Sequence, residues 1–294
     1  MSGNSAVITR NERRFKYGML MPLLAVFVVA VGFPLVYAAY LSLTNYKLTS
    51  RKGADFVGAD NYANAFTNPE FWGAFATTAT YVIIAVVFEL VLGLLIAMAL
   101  QKQKWAKDLS RALLLAPMFI TPIAVGLTFR FLLNDQLGAI PEILRGIGLN
   151  YDFLGSGQAL FTLAMIDVWQ WTPFMVLLLL AGLESLPKSP MEAARVDGAG
   201  AWYTFRRVKL PLLSSVMVVA VLLRGLDALK VFEYVYATTR GGPGTETQTL
   251  QYYTYQTGIQ FFRLGSASAM AFIVLAVVLA AIVVIFRRLE KGRS

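Results

Sequence analysis

The chain has 294 residues, of which 57% are hydrophobic and only 15% charged, with 26 Lys and Arg against 17 Asp and Glu. That balance excludes an ordinary soluble domain, which carries more charge and shorter apolar runs, and points to the membrane class. Cys and His are both absent, which excludes disulfides, thiolate and imidazole metal sites, thiol nucleophiles and His-based triads.

A membrane-crossing helix needs about 20 apolar residues, and six stretches qualify. A tail over residues 1–16 carries Arg10, Arg13, Arg14 and Lys16. Tyr17–Tyr46 is uncharged and gives the first span, with bends expected at Pro22 and Pro34. It is longer than the ~7–15-residue core of a secretory signal and reads as a retained span. Lys47–Pro69 is a polar, aromatic loop. Phe71–Leu100 is the second span, interrupted by Glu89, and Lys102, Lys104, Lys107 and Arg111 follow it. Ala112–Phe129 is the third, with Pro117 and Pro122 inside. Asn134–Gln158 is a Gly-containing loop with a short interfacial helix expected at Ile140–Ile147. Ala159–Leu183 is the fourth span and contains Asp167. A polar island, Ser189–Pro211, precedes the fifth span, Pro211–Tyr236. After a polar loop around Arg240–Gly242 comes the sixth, Leu264–Phe286, and then Arg287, Arg288, Lys291 and Arg293.

The expected fold is therefore all-α and polytopic: six transmembrane helices over residues 17–287 and a short tail over 288–294. With six spans both termini share a side, and 17 of the 26 Lys and Arg fall on it. The positive-inside rule makes that side, including the Ser189–Pro211 loop, cytoplasmic.

Within the polar island, Ser189 is placed to N-cap a helix, Pro190 suits its first position and Glu192 completes a capping box. The helix is expected to stop at Gly198, which tolerates the left-handed C′ conformation. Ala193 and Ala194 leave room for another backbone. Past Gly200, a second short segment sets Trp202, Phe205 and Val208 three apart beside Arg206, Arg207 and Lys209, an apolar stripe suited to a membrane surface. On these features alone the island is equally an interfacial connector or a docking site.

Its spacing carries a resemblance. Glu192-Ala193-Ala194, then Asp197-Gly198-Ala199, then Phe205, Val208, Leu210 and Pro211 look like the EAA signature of ABC importer permeases, with Val208 where that family often has Ile. The resemblance implies a coupling helix that docks in a groove of a cytoplasmic ATPase, with Glu192 facing basic groups and Gly198 making the turn. Trp171-Thr172-Pro173-Phe174, Leu180-Ala181-Gly182-Leu183 with Pro187, and Asp227–Phe232 are similar to sugar-uptake permeases. So are Phe56-Val57-Gly58 with Asn61-Tyr62, and Gly241-Gly242-Pro243 with Thr247 and Leu250. The Gly-Gly-Pro loop resembles the first-permease type of maltose transporters and implies that Gly241, Gly242 and Pro243 contact an extracytoplasmic binding protein. The implied partners are a second EAA-bearing permease, two ABC ATPases, the binding protein, a sugar-type substrate and the lipid of a bacterial inner membrane.

No Gly is followed by Lys, so a G-x-x-x-x-G-K-[ST] phosphate loop cannot form. The expectation is a transport subunit that is not itself an enzyme, with no cofactor or metal of its own, while ATP and Mg are bound by the partner ATPases. Its basic loops lack the context that nucleic-acid binding requires.

Charges inside the spans are the remaining candidates. Arg224, Asp227, Lys230 and Glu233 follow one another at steps of three with alternating sign, a ladder whose neighbours meet on a helix. At ~1.5 Å per residue, Arg224 lies roughly 20 Å beyond Pro211, deep in a ~30 Å core, where charges face protein or a wet cavity. One reading is a self-neutralising structural ladder; the other is a sugar pathway lined by Arg224, Asp227, Lys230 and Tyr234. Asp167, Trp169 and Gln170 in the fourth span are candidates for the same pathway, and Glu89 is expected to bond a neighbouring helix. The alternative function is an ion-gradient-driven carrier with the Arg224–Glu233 ladder as its ion site. A membrane enzyme would need a clustered nucleophile and base, and without His or Cys only scattered carboxylates remain.

Overall fold

The computed structural model describes residues 10–51, 53–103 and 107–291; the start of the expected N-terminal tail, Lys104 and Arg293 lie outside the described residues. In chain order the helices are α1 (Arg10–Phe27), α2 (Phe33–Ser42), α3 (Asp60–Thr67), α4 (Pro69–Lys102), α5 (Lys107–Leu115), α6 (Pro122–Leu132) and α7 (Ala139–Gly146). They continue as α8 (Ala159–Glu184), α9 (Ser189–Val196), α10 (Ala201–Thr204), α11 (Leu210–Ala228), α12 (Glu233–Ala237), α13 (Leu250–Tyr255) and α14 (Leu264–Lys291). Among the described residues the β pairing is a single bridge, Thr44 with Phe56.

Among the described residues, five continuous helices are long and apolar enough to cross a membrane: Tyr17–Ser42, Pro69–Lys102, Ala159–Glu184, Ala201–Ala228 and Leu264–Val283. The pair Leu109–Phe119 and Pro122–Leu132, bent by 90°, makes six where the two halves count as one broken span. The short helix expected at Ile140–Ile147 is α7.

Contacts divide the chain into two compact units, one running to Thr67 and taking in Thr257–Val274, the other holding Asn68–Gln256 and the end of α14. In the first unit, Asn61 is the knot. Its amide donates to the carbonyls of Ser42 (2.9 Å) and Thr44 (2.8 Å), and its carbonyl oxygen accepts from Ser266 Oγ at 3.1 Å. Because these carbonyls are taken, the first span stops at Ser42 rather than at the expected Tyr46.

In the second unit α4 and α8 form the main helix pair. Gly93 permits their approach: a Cβ there would lie 2.8 Å from Met175 Cβ. Leu179, Leu183 and Leu213 close the lower core. Tyr81, Leu163 and Val235 close the upper core, around the site described below.

Four expectations give way to local physics. The third span is not one helix over Ala112–Phe129: Ile120 (ψ 136°) and Thr121 (ψ 134°) are both extended before Pro122, as the residue preceding a proline prefers. Ser189 does not cap α9. The cap residue is Lys188, itself in helical geometry, and its carbonyl accepts from Met191 and Glu192 N–H at 3.0 Å, so no capping box forms. The segment after Gly200 is not a separate short helix but runs through a π turn at Phe205–Lys209 into α11. That wide turn, closed by Leu210 N–H to the Phe205 carbonyl, makes room for the ring of Pro211, which would clash with the carbonyl four residues back. The fifth span also fails to reach Tyr236 as one helix: it ends at Ala228, and α12 begins at Glu233.

Candidate functional site

Two regions of the second unit hold the candidate residues. The first is the Ser189–Pro211 loop. Helix α9 ends in a Schellman turn: Ala199 N–H donates to the Ala194 carbonyl at 2.9 Å and Gly198 N–H to the Arg195 carbonyl at 3.1 Å. Gly198 supplies the left-handed geometry at φ +71°, which costs a Cβ-bearing residue about 1–2 kcal/mol. Glu192, Ala193 and Asp197 are exposed, Ala194 is buried, and Ala199 and Leu210 are half-buried. Pro190, Ala193, Ala194, Asp197, Tyr203 and Val208 wall a surface hollow of about 670 Å³. Val196 is 87% exposed and Trp202 70%, which leaves an apolar rim open to a partner or a lipid surface.

The second region is a buried ionic hub where three helices meet. Arg224 of α11 is 2% exposed. Its Nε bonds Glu89 of α4 at 2.9–3.0 Å, one terminal nitrogen bonds Asp167 of α8, and the other bonds Asp227 at 3.1 Å. Its guanidinium also lies over Trp171, 5.2 Å from the ring centroid. Glu89 and Asp167 are shut away from solvent, whereas the Asp227 side chain is 52% exposed. A polar chain leads on from there. Trp171 Nε1–H donates to the Tyr234 hydroxyl at 3.1 Å, that hydroxyl donates to Gln170 Oε1 at 2.5 Å, and Gln170 Nε2 donates to the Ile120 carbonyl at 2.6 Å. That carbonyl sits at the bend of the third span, so the side chain satisfies a backbone group that the bend removes from helical pairing.

Beside the hub lies a cavity of about 270 Å³ walled by Asp167, Trp171, Arg224, Asp227, Lys230, Glu233 and Tyr234. The structure thus brings Asp167, Gln170, Arg224, Asp227, Lys230 and Tyr234 together. It does not bring Trp169, which packs edge-on against Phe129 at 5.4 Å and walls a separate apolar cavity with Phe153 and Phe161. The ladder is also corrected. Arg224 and Asp227 meet, but the helix ends before Lys230, and Arg224 takes its other carboxylates from α4 and α8. Of the two tryptophans near Asp167, Trp171 joins the hub because it stands four after Asp167 and hence on the same helical face, while Trp169 stands two after and faces away.

The Gly241–Pro243 turn belongs to a third group. Thr247 Oγ1 donates to the Gly242 carbonyl at 2.7 Å. Nearby, the exposed Glu246 carboxylate accepts from the Ser156 hydroxyl and from Gly157 N–H, and these bonds hold its carboxyl below the usual value.

Residues 89–293 match the family described as binding-protein-dependent transport system inner membrane component. The chain belongs to that family. As a permease of this class it is 36% identical to the probable ABC transporter permease protein y4oQ of Sinorhizobium fredii, covering 98% of this chain and 96% of the relative. It is also 36% identical to the trehalose/maltose transport system permease protein MalF of Thermococcus litoralis, covering 81% of each. Its fold matches a chain of a bacterial ABC transporter involved in the import of the acidic polysaccharide alginate, with a TM-score of 0.79, 22% identity and coverage of 94% and 96%. The permease is an inner-membrane transport subunit that works with a binding protein, as its sequence resemblance implied.

Proposed function

We propose that this permease forms half of the membrane pathway of an ATP-driven sugar importer in a bacterial inner membrane, with both termini and the Ser189–Pro211 loop in the cytoplasm. A second EAA-bearing permease completes the pathway. Two ATPase subunits hold ATP and Mg and receive α9, whose exposed Glu192 faces their basic groups. The binding protein docks at the end that carries Gly241, Gly242 and Pro243, and releases sugar toward the cavity beside Arg224. A relative named for trehalose and maltose transport supports the substrate type.

The observation that carries this reading is the unbroken helical run Ala201–Ala228, which begins at the turn after α9 and ends at Asp227 and the cavity. At ~1.5 Å per residue it places Arg224 about 35 Å from Ala201, so a displacement of α9 by the ATPase reaches the hub through one rod. Closure of the ATPase dimer then tilts the rod and opens the cavity outward, and hydrolysis resets it.

The test is Glu192→Lys in the reconstituted transporter. ATP-dependent uptake should fall at least about tenfold, the scale of reversing one interfacial charge, with the protein still inserted. Normal uptake together with normal ATPase association would overturn the assignment of α9.

A further inference from the structure

From the cavity wall we infer the charge class of the substrate: an uncharged or cationic sugar, with anionic sugars excluded. The inference rests on the reading above that this cavity lies on the sugar pathway. The relatives do not decide the matter, because they include a trehalose/maltose permease and a transporter for an acidic polysaccharide.

The first observation is that Arg224, the arginine among the described lining residues, already has each of its nitrogens bonded to protein. An anionic substrate is normally held by a guanidinium fork, but Arg224 spends all three of its nitrogens on protein carboxylates, those of Glu89, Asp167 and Asp227. Its flat face is covered by Trp171. Displacing the bond to Glu89 or Asp167 would leave a carboxylate buried without its partner, and removing one member of such a pair costs several kcal/mol, typically ~3–5.

The second is the sign of the wall. Arg224 and Lys230 are set against Asp167, Asp227 and Glu233, with Glu89 directly behind Arg224. Two positive groups on the wall face three carboxylates, and Glu89 adds a fourth behind Arg224, so the balance of groups is acidic. Among the described lining residues, a carboxylate, phosphate or sulfonate entering there meets Lys230 as the exposed cation and two exposed carboxylates, Asp227 and Glu233.

The third concerns what remains free to bind. Tyr234 donates to Gln170 and accepts from Trp171, so its hydroxyl is committed. The exposed Asp227, Lys230 and Glu233 present acceptor, donor and acceptor in turn. Sugar hydroxyls donate and accept at once and match that alternation, and an amino sugar would add an attraction. At about 270 Å³ the cavity lies just below the usual ~300–1,000 Å³ of small-molecule sites, a size for one ring at a time.

The test uses the assembled transporter in nanodiscs without its binding protein, so that the selectivity of that partner does not enter. Saturation-transfer NMR at matched ionic strength compares trehalose, glucosamine, glucuronate and glucose 6-phosphate. Trehalose and glucosamine should bind, and the two anions should bind at least about tenfold more weakly, on the order of one like-charge contact at a partly wet site. Glu233→Gln should narrow that gap and Lys230→Gln should widen it; both residues are exposed, so neither change disturbs the core. Anions that bind as tightly as trehalose would overturn the inference while leaving sugar import intact. If none of the four probes binds, the cavity is not a sugar site, and the inference falls together with that part of the functional reading.

Discussion

The Ser189–Pro211 loop and the Arg224 hub sit at the two ends of one helical rod, and they are specified in opposite ways. The loop is built from neighbours: a proline opens α9, a glycine at φ +71° closes it, and both of its diagnostic hydrogen bonds span five residues or fewer. The hub is built from strangers. Its ion pairs join Arg224 to residues 57 and 135 positions away, and its hydrogen-bond chain reaches a backbone carbonyl on a third span. An exposed surface turn can be encoded locally, whereas a charge in the bilayer is tolerable only when distant helices bring counter-charges to it.

Mutations should separate the two regions. The largest effect on stability is expected for Arg224→Leu, which leaves Glu89 and Asp167 buried without their cation. A loss of about 3–5 kcal/mol should appear as a lowered melting temperature of the purified complex, whereas Glu192→Lys should leave melting unchanged. Gly93→Val comes next. Its side chain would press on Met175, and such overpacking costs about 1–3 kcal/mol, with the α4–α8 pair loosened in the same melting assay.

Asp227→Asn sharpens the comparison inside the hub. Its side chain is half exposed, unlike that of Asp167, so uptake per folded complex should drop while the melting temperature moves by less than for Asp167→Asn. Equal losses of stability would make the hub purely structural. The smallest effect belongs to the Glu246 tie. Because its carboxyl is held below the usual glutamate value, the tie to Ser156 and Gly157 is complete above that value and is lost as pH falls through the lower, folded one. The Gly157 amide shift should follow that titration with a midpoint below that of an ordinary glutamate, and Glu246→Gln should abolish it.

Much of this was legible in the sequence. Six apolar runs, the basic loops and the spacing from Glu192 to Pro211 are local or periodic signals, and the spans and the family followed from them. What escaped depended on contacts across the fold. The ladder from Arg224 to Glu233 assumed a helix that continues, yet the Val231 carbonyl accepts from the fully buried Thr249 at 3.0 Å. No residue near Ala228 announces that capture. Ser189 carries every local mark of a cap and was displaced because helical geometry already begins at Lys188. That Trp171 and not Trp169 joins the hub was legible, since helical phase from Asp167 distinguishes them.

The π turn at Phe205–Lys209 gives the rod a built-in phase offset. One extra residue is housed in a single turn between the exposed α9 loop and the buried charges around Arg224. Each residue advances a helix by about 100°, so this turn sets the azimuth of α9 relative to Arg224 independently of either sequence. Under the proposed coupling, loop and hub can therefore each be intact and still be out of phase, because the link between them is angular as well as axial.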